Sequence, residues 1–115
     1  LHDLGGLAAL REVETPVRIV VIDNDGGGIF HFLPQAGFPA YFERHWGTPH
    51  GLDFVSLARA FGIEAERVET REALAAAVAA APAGPRLLEV RTERAANFDL
   101  HRRLRAAVAA ALAGL

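Results

Sequence analysis

The sequence has 115 residues, a formal net charge of −2, no cysteine and 51% hydrophobic residues. This composition argues against a disulfide scaffold or thiolate metal centre, a disordered chain and a globally basic nucleic-acid binder, and no apolar run approaches the roughly 20 residues of a membrane span. A single domain over residues 1–115 is expected, cytoplasmic by default because no basic leader opens it, and the Leu1 start without an initiator Met points to a piece of a longer protein.

Residues 2–12 carry Leu4, Leu7 and Leu10 at near-helical spacing and predict a helix, weakened at its start by Gly5 and Gly6. Pro16 ends the connection. Residues 17–22 then predict the first strand, and the four β-branched apolar residues Ile19-Val20-Val21-Ile22 do not alternate, which predicts a strand buried on both faces. Residues 31–51 differ in kind, with Pro34, Pro39, Pro49, Gly37, Gly47 and Gly51. From Phe30 to Trp46 lie six of the nine aromatics (Phe30, Phe32, Phe38, Tyr41, Phe42 and Trp46), so this is no solvated linker. It is expected to fold over a site or dock elsewhere, and its Pro and Gly content suits a mobile lid.

Asp53 reads as an N-cap before an apolar face of Phe54, Leu57, Ala58 and Phe61, with Gly62 as the stop. Residues 64–69 predict a short polar strand. Thr70 caps an Ala-rich helix carrying Leu74 and Val78, ended by Pro82-Ala83-Gly84-Pro85. Residues 86–92 predict another strand. A last helix runs from about Asn97, with Leu100, Leu104, Val108 and Leu112 at every fourth residue. The alternation of helices and strands predicts a three-layer α/β/α fold with a mainly parallel sheet.

The run Asp23-Asn24-Asp25-Gly26-Gly27-Gly28 stands at the exit of the first strand. In open parallel sheets ligands bind outside the carboxyl ends of strands. An amide flanked by acids, with glycines that let backbone approach a ligand, suits a divalent cation and a phosphate. A dinucleotide fingerprint needs glycines at its first, third and sixth positions; counted from Gly26 the sixth is His31, so it fails. A P-loop needs a Lys, and the chain has none. An EF-hand loop from Asp23 fails at Gly27 and at Pro34, where its closing Glu should stand. The same residues also suit a plain turn, because Asn and Asp before Gly are common turn formers. The histidines His2, His31, His45, His50 and His101 show no ligand spacing. Arg102, Arg103 and Arg105 read as a solvated helix face.

The strand and its turn resemble the second half of the thiamine-diphosphate motif. Leu1-His2-Asp3-Leu4-Gly5-Gly6-Leu7, Asn24-Asp25-Gly26-Gly27-Gly28-Ile29-Phe30, Phe32-Leu33-Pro34-Gln35, Phe42-Glu43, Gly47-Thr48-Pro49-His50-Gly51-Leu52-Asp53-Phe54, Ala95-Ala96-Asn97 and Leu100-His101-Arg102 together resemble the C-terminal domain of the MenD family. Its members are 2-succinyl-5-enolpyruvyl-6-hydroxy-3-cyclohexene-1-carboxylate synthases of menaquinone biosynthesis. The resemblance implies a transferase that decarboxylates 2-oxoglutarate on thiamine diphosphate and adds a succinyl carbanion equivalent to isochorismate. It implies Mg²⁺ (or Mn²⁺) held by the Asn24 side chain and the Gly26 carbonyl, together with an Asp from a Gly-Asp pair that falls ahead of Leu1. Asp23 and Asp25 are expected to set the turn or its potential rather than bind the ion. Gly27 and Gly28 either donate N–H groups to the diphosphate or permit positive φ, with a diphosphate contact expected at Gly27. Ile29, Phe30 and Leu33 would line an apolar reaction pocket, which keeps protons from a reactive intermediate; Phe32 reads as ordinary core. The activating Glu would come from a partner subunit, so at least a dimer is implied. No catalytic residue is assigned in this chain, which alone should be inactive and bind cofactor weakly.

Overall fold

The computed structural model describes residues 3–81 and 83–114. Its elements in chain order are α1 (Gly6–Ala9), β1 (Arg18–Asp23), α2 (Pro39–Phe42), α3 (Phe54–Ala60), β2 (Glu64–Arg67), α4 (Arg71–Ala79), β3 (Arg86–Arg91) and α5 (Arg94–Leu112). The first predicted helix therefore appears shorter than its sequence window. Residue 2 of the first, and Pro82 of the turn after α4, lie outside the described residues. Two compact units divide the chain, one of residues 1–23 and 52–91, the other of 24–51 and 92–115.

The first unit holds an all-parallel sheet in the order β1-β3-β2, the core of the α/β/α fold. Arg18 to Asp23 pair with Arg86 to Arg91, and Glu64 to Arg67 with Arg86 to Glu89. Val55, Ala58, Ile63, Ala65 and Leu87 form the buried cluster, with Leu7, Leu10, Ile19 and Val21 packed against it. The capping signals act as the sequence predicts. Asp53 Oδ1 accepts from Ser56 N at 3.2 Å and Thr70 Oγ1 from Ala73 N at 3.1 Å, each satisfying an orphan helix donor. Gly62, at φ 77°, follows α3 in the left-handed conformation that glycine adopts without strain.

Two expectations need correction here. β1 is not covered on both faces: Ile19 and Val21 turn into the core, whereas Val20 is 41% and Ile22 60% exposed. It is an outer strand of this sheet, and a run lacking polar residues hides the period-2 alternation of its burial. The central strand β3 carries the fully buried carboxylate of Glu89. Arg91 Nε donates to its Oε1 at 2.9 Å and Arg67 Nε to its Oε2 at 3.1 Å, the pairing a buried charge requires. No periodicity announces that pair. α5 begins three residues before Asn97, because Glu93 caps it: its carboxylate accepts from Ala95 N at 3.0 Å and Ala96 N at 2.6 Å. Glu is an uncommon cap, so the preference for Asn, Asp, Ser and Thr misplaces the start.

In the second unit the aromatic segment is a chain of tight helical turns. Gly28–Phe32 and Pro34–Gly37 are 3-10, then comes α2, and Glu43–Gly47 closes as a π-turn. Phe42 is its buried anchor, met edge-on by His31 at a 4.6 Å ring separation. Phe32 is not core: it is 37% exposed, with its ring edge-on to Phe98 and His101 of α5. Among the described residues no helix is long and apolar enough to cross a membrane.

Candidate functional site

Residues 24–28 wind into a turn held by backbone groups together with the Asn24 and Asp25 side chains. Asn24 Oδ1 accepts from Gly26 N–H at 3.2 Å, and the Gly26 carbonyl accepts from Gly28 N–H at 3.0 Å. Asp25 sits in the left-handed region at φ 52° and Gly26 at φ 132°. Asp tolerates the first, whereas the second suits glycine alone.

The facing segment is residues 46–51. Gly27 N–H donates to the Gly47 carbonyl at 2.7 Å. Asp25 Oδ1 accepts from His50 N–H at 3.0 Å and Gly51 N–H at 2.8 Å, with His50 Nδ1 at 3.5 Å. The Gly51 hydrogen bond leads in holding the Asp25 carboxyl below the usual carboxylate range. Partial burial opposes it, and the His50 N–H and the charges of His50 and Arg94 assist. Asp25 therefore sets the turn, in keeping with the role expected of it.

Glycine is required here mainly for close approach. A Cβ on Gly26 would stand 2.0 Å from the Gly47 carbonyl oxygen, and one on Gly27 2.2 Å from that of Trp46. One on Gly28 would stand 2.5 Å from Asn24 Nδ2, so the bare Gly28 leaves room for the Asn24 amide. Neither role foreseen for Gly27 and Gly28 is what the structure displays. Both N–H groups are engaged inside the protein, by Gly47 and Gly26. The positive φ belongs to Gly26, while Gly27 has φ −81°.

The two oxygens expected to face a cation stand in this one turn. Each accepts a single hydrogen bond, and an amide or peptide oxygen carries two lone pairs, so each keeps one for a ligand. Among the described residues no group of three or more His, Cys, Asp or Glu is placed to hold a metal ion. A hard cation at this turn would thus rest on neutral oxygens, completed by phosphate oxygens. Gly26 to Gly28 carry no side chains of their own, and the Asn24 amide and Gly26 carbonyl are oxygens of the kind a hard cation takes, so the residues present fit a Mg²⁺-diphosphate group.

The three residues expected to line a reaction pocket differ in exposure. Ile29 is 71% and Leu33 42% exposed, and Phe30 lies half-buried beside Gly27. Of the three, only Leu33 lines a cavity of about 710 Å³, whose walls include His31, Phe32, Phe98, Arg102 and Arg105. Two residues that sequence reasoning passed over matter more to the turn. Arg94 Nη2 donates to Glu43 Oε2 at 2.7 Å, and 51 positions separate the two, beyond any local pattern.

The family described as thiamine pyrophosphate enzyme, C-terminal TPP binding domain, matches residues 1–90. A Rubrobacter xylanophilus protein is 49% identical over 106 residues, covering 90% of this chain and 18% of its own length. Relatives from Renibacterium salmoninarum (44% over 119 residues; 97% and 22%) and Myxococcus xanthus (44% over 115; 97% and 20%) are similar. All three are named 2-succinyl-5-enolpyruvyl-6-hydroxy-3-cyclohexene-1-carboxylate synthase. The chain spans about a fifth of the length of these curated relatives. It belongs to the family of C-terminal TPP-binding domains of thiamine pyrophosphate enzymes.

Proposed function

We propose that this chain is the diphosphate- and Mg²⁺-binding domain of a synthase of the MenD type. That enzyme would decarboxylate 2-oxoglutarate and join the remaining succinyl unit to isochorismate. The observation that carries the reading is the 24–28 turn, where Asn24 Oδ1 and the Gly26 carbonyl each accept one hydrogen bond and retain a lone pair. The names of the relatives supply the substrate class.

The cofactor, when bound, supplies the electron sink for decarboxylation. The chain's own residues bind and orient. Asn24 and Gly26 would hold Mg²⁺ (or Mn²⁺), and Asp25 keeps the turn wound by gripping residues 50 and 51. Gly27 would stand next to the diphosphate, with its N–H engaged by Gly47 and the space at its Cα taken by the Trp46 carbonyl and the Phe30 ring. Ile29, Phe30 and Leu33 would present apolar surface that keeps water from the reacting carbon. Residues outside this chain would complete the site from a partner subunit, so the working form is a homo-oligomer, placed in the cytoplasm.

Calorimetric titration of the intact protein with thiamine diphosphate and Mg²⁺, paired with CO₂ release from 2-oxoglutarate, tests the reading. Asn24→Ala should weaken Mg²⁺-dependent cofactor binding by about 10- to 100-fold, the worth of a hydrogen-bond-strength contact to a charged group. Unchanged binding in that variant, or substrate turnover that does not depend on thiamine diphosphate, would refute it.

A further inference from the structure

We propose that Glu43 and Arg94 are a positioning clamp for the cation-binding turn, an inference that rests on the reading of residues 24–28 given above. Neither residue need touch the cation or the cofactor. They act through Gly47.

The geometry is a short chain of contacts. Arg94 opens α5, and the Glu93 cap fixes that end of the helix. The Arg94 side chain is only 13% exposed, and its Nη2 donates to Glu43 Oε2 at 2.7 Å. Its Nη1 is buried without a hydrogen-bond partner and lies against Gly47, where a Cβ would stand 2.5 Å from it. Glu43 Oε2 would stand 2.7 Å from the same point. The ion pair therefore lies flat over the Gly47 backbone. The carbonyl of that residue receives Gly27 N–H at 2.7 Å, and the next N–H, of Thr48, returns to the Glu43 carbonyl at 2.7 Å. The Arg94 stem also reaches the turn itself, with Cγ 3.5 Å from where a Cβ of Gly28 would be. One guanidinium thus sets the height of Gly47, and Gly47 sets Gly27 and the oxygens on either side of it.

Charge alone would not predict what the clamp predicts. A guanidinium acts on the cation and on the diphosphate with opposite sign, so a merely electrostatic Arg94 would alter Mn²⁺ affinity but leave Gly27 exchange without cofactor unchanged. A clamp strengthens binding by fixing the ligands, so its removal should loosen it.

The test uses the intact protein with thiamine diphosphate, and Mn²⁺ as the paramagnetic probe, followed by the loss of the free-ion resonance signal. Hydrogen exchange at the Gly27 amide is measured alongside, without cofactor. Arg94→Ala should raise the Mn²⁺ dissociation constant about tenfold, as loss of a supporting contact does at other metal sites. Gly27 exchange should accelerate by a similar factor. Arg94→Lys should recover part of both, because it restores the charge and one donor but not the planar fork. Mn²⁺ binding by Arg94→Ala that is tighter, or within about twofold of wild type, overturns the clamp. If Arg94→Ala does not fold, Arg94→Lys decides: unchanged Gly27 exchange overturns the clamp, and faster exchange supports it. Asn24→Ala separates the two levels. If it loses Mn²⁺ while the Arg94 variants keep it, only the clamp fails; if neither it nor wild type shows thiamine-diphosphate-dependent Mn²⁺ binding, the functional reading fails as well.

Discussion

The sheet unit and the 24–51 segment are stabilised by opposite means. Around β3 the work is done by side chains: Leu87 and Leu88 are buried, Glu89 is enclosed by two arginines, and Asp53 and Thr70 close helix ends. Around Gly26 to Gly28 it is done by their absence. Three backbones approach so closely that any Cβ would collide, and carbonyl, N–H and one carboxylate fasten them together. The first arrangement resists unfolding, because apolar area leaves water. The second holds a few oxygens in place with a lone pair each to spare, as a binding turn must.

Three changes would break or sharpen that contrast. Leu88→Ala, at a fully buried position, should cost about 3 kcal/mol in urea unfolding, the usual price of a core Leu deletion. It should leave the Mn²⁺ affinity of the folded protein unchanged; a matching loss of affinity would show that the two means are not separate. Gly26→Ala should do the reverse. Its Cβ meets the Gly47 oxygen at 2.0 Å and its φ is 132°, so strain of about 2 kcal/mol is expected, confined to the turn. Mn²⁺ binding should fall roughly thirtyfold by the same energy, with the urea midpoint nearly unmoved.

The smallest effect concerns pH. The Asp25 carboxyl is held below its usual range, first by the Gly51 N–H. A depressed folded-state value means that the bond between the segments is fully present above the ordinary carboxylate range. It fades only as pH falls through the lowered value. The Gly51 amide resonance should therefore titrate with an apparent value below that of a free Asp, and should lose that titration in Asp25→Ala. A midpoint at or above the free-Asp value would contradict the geometry.

What the sequence made legible follows the same division. The parallel order, the caps at Asp53 and Thr70, and the stop at Gly62 are local patterns, each visible within a few residues. The outward face of β1 was not, because Val20 and Ile22 look the same as Ile19 and Val21. Asn24 and Gly26 could be singled out by residue type and resemblance. The engagement of Gly27 N–H by Gly47 could not, because it joins residues 20 positions apart that carry no side chains. Glu43 and Arg94 lie farther apart still, and an acid and a base at such a distance resemble any two surface charges.

The outer side of β1 has a practical consequence. Among the described residues its second row of N–H and C=O groups meets no strand, and Val20 and Ile22 beside that row are apolar and exposed. Such an edge is a template for further strand addition. Expressed by itself in a bacterial host, this 115-residue piece should accumulate in inclusion bodies, and a charged replacement at Ile22 should bring more of it into the supernatant.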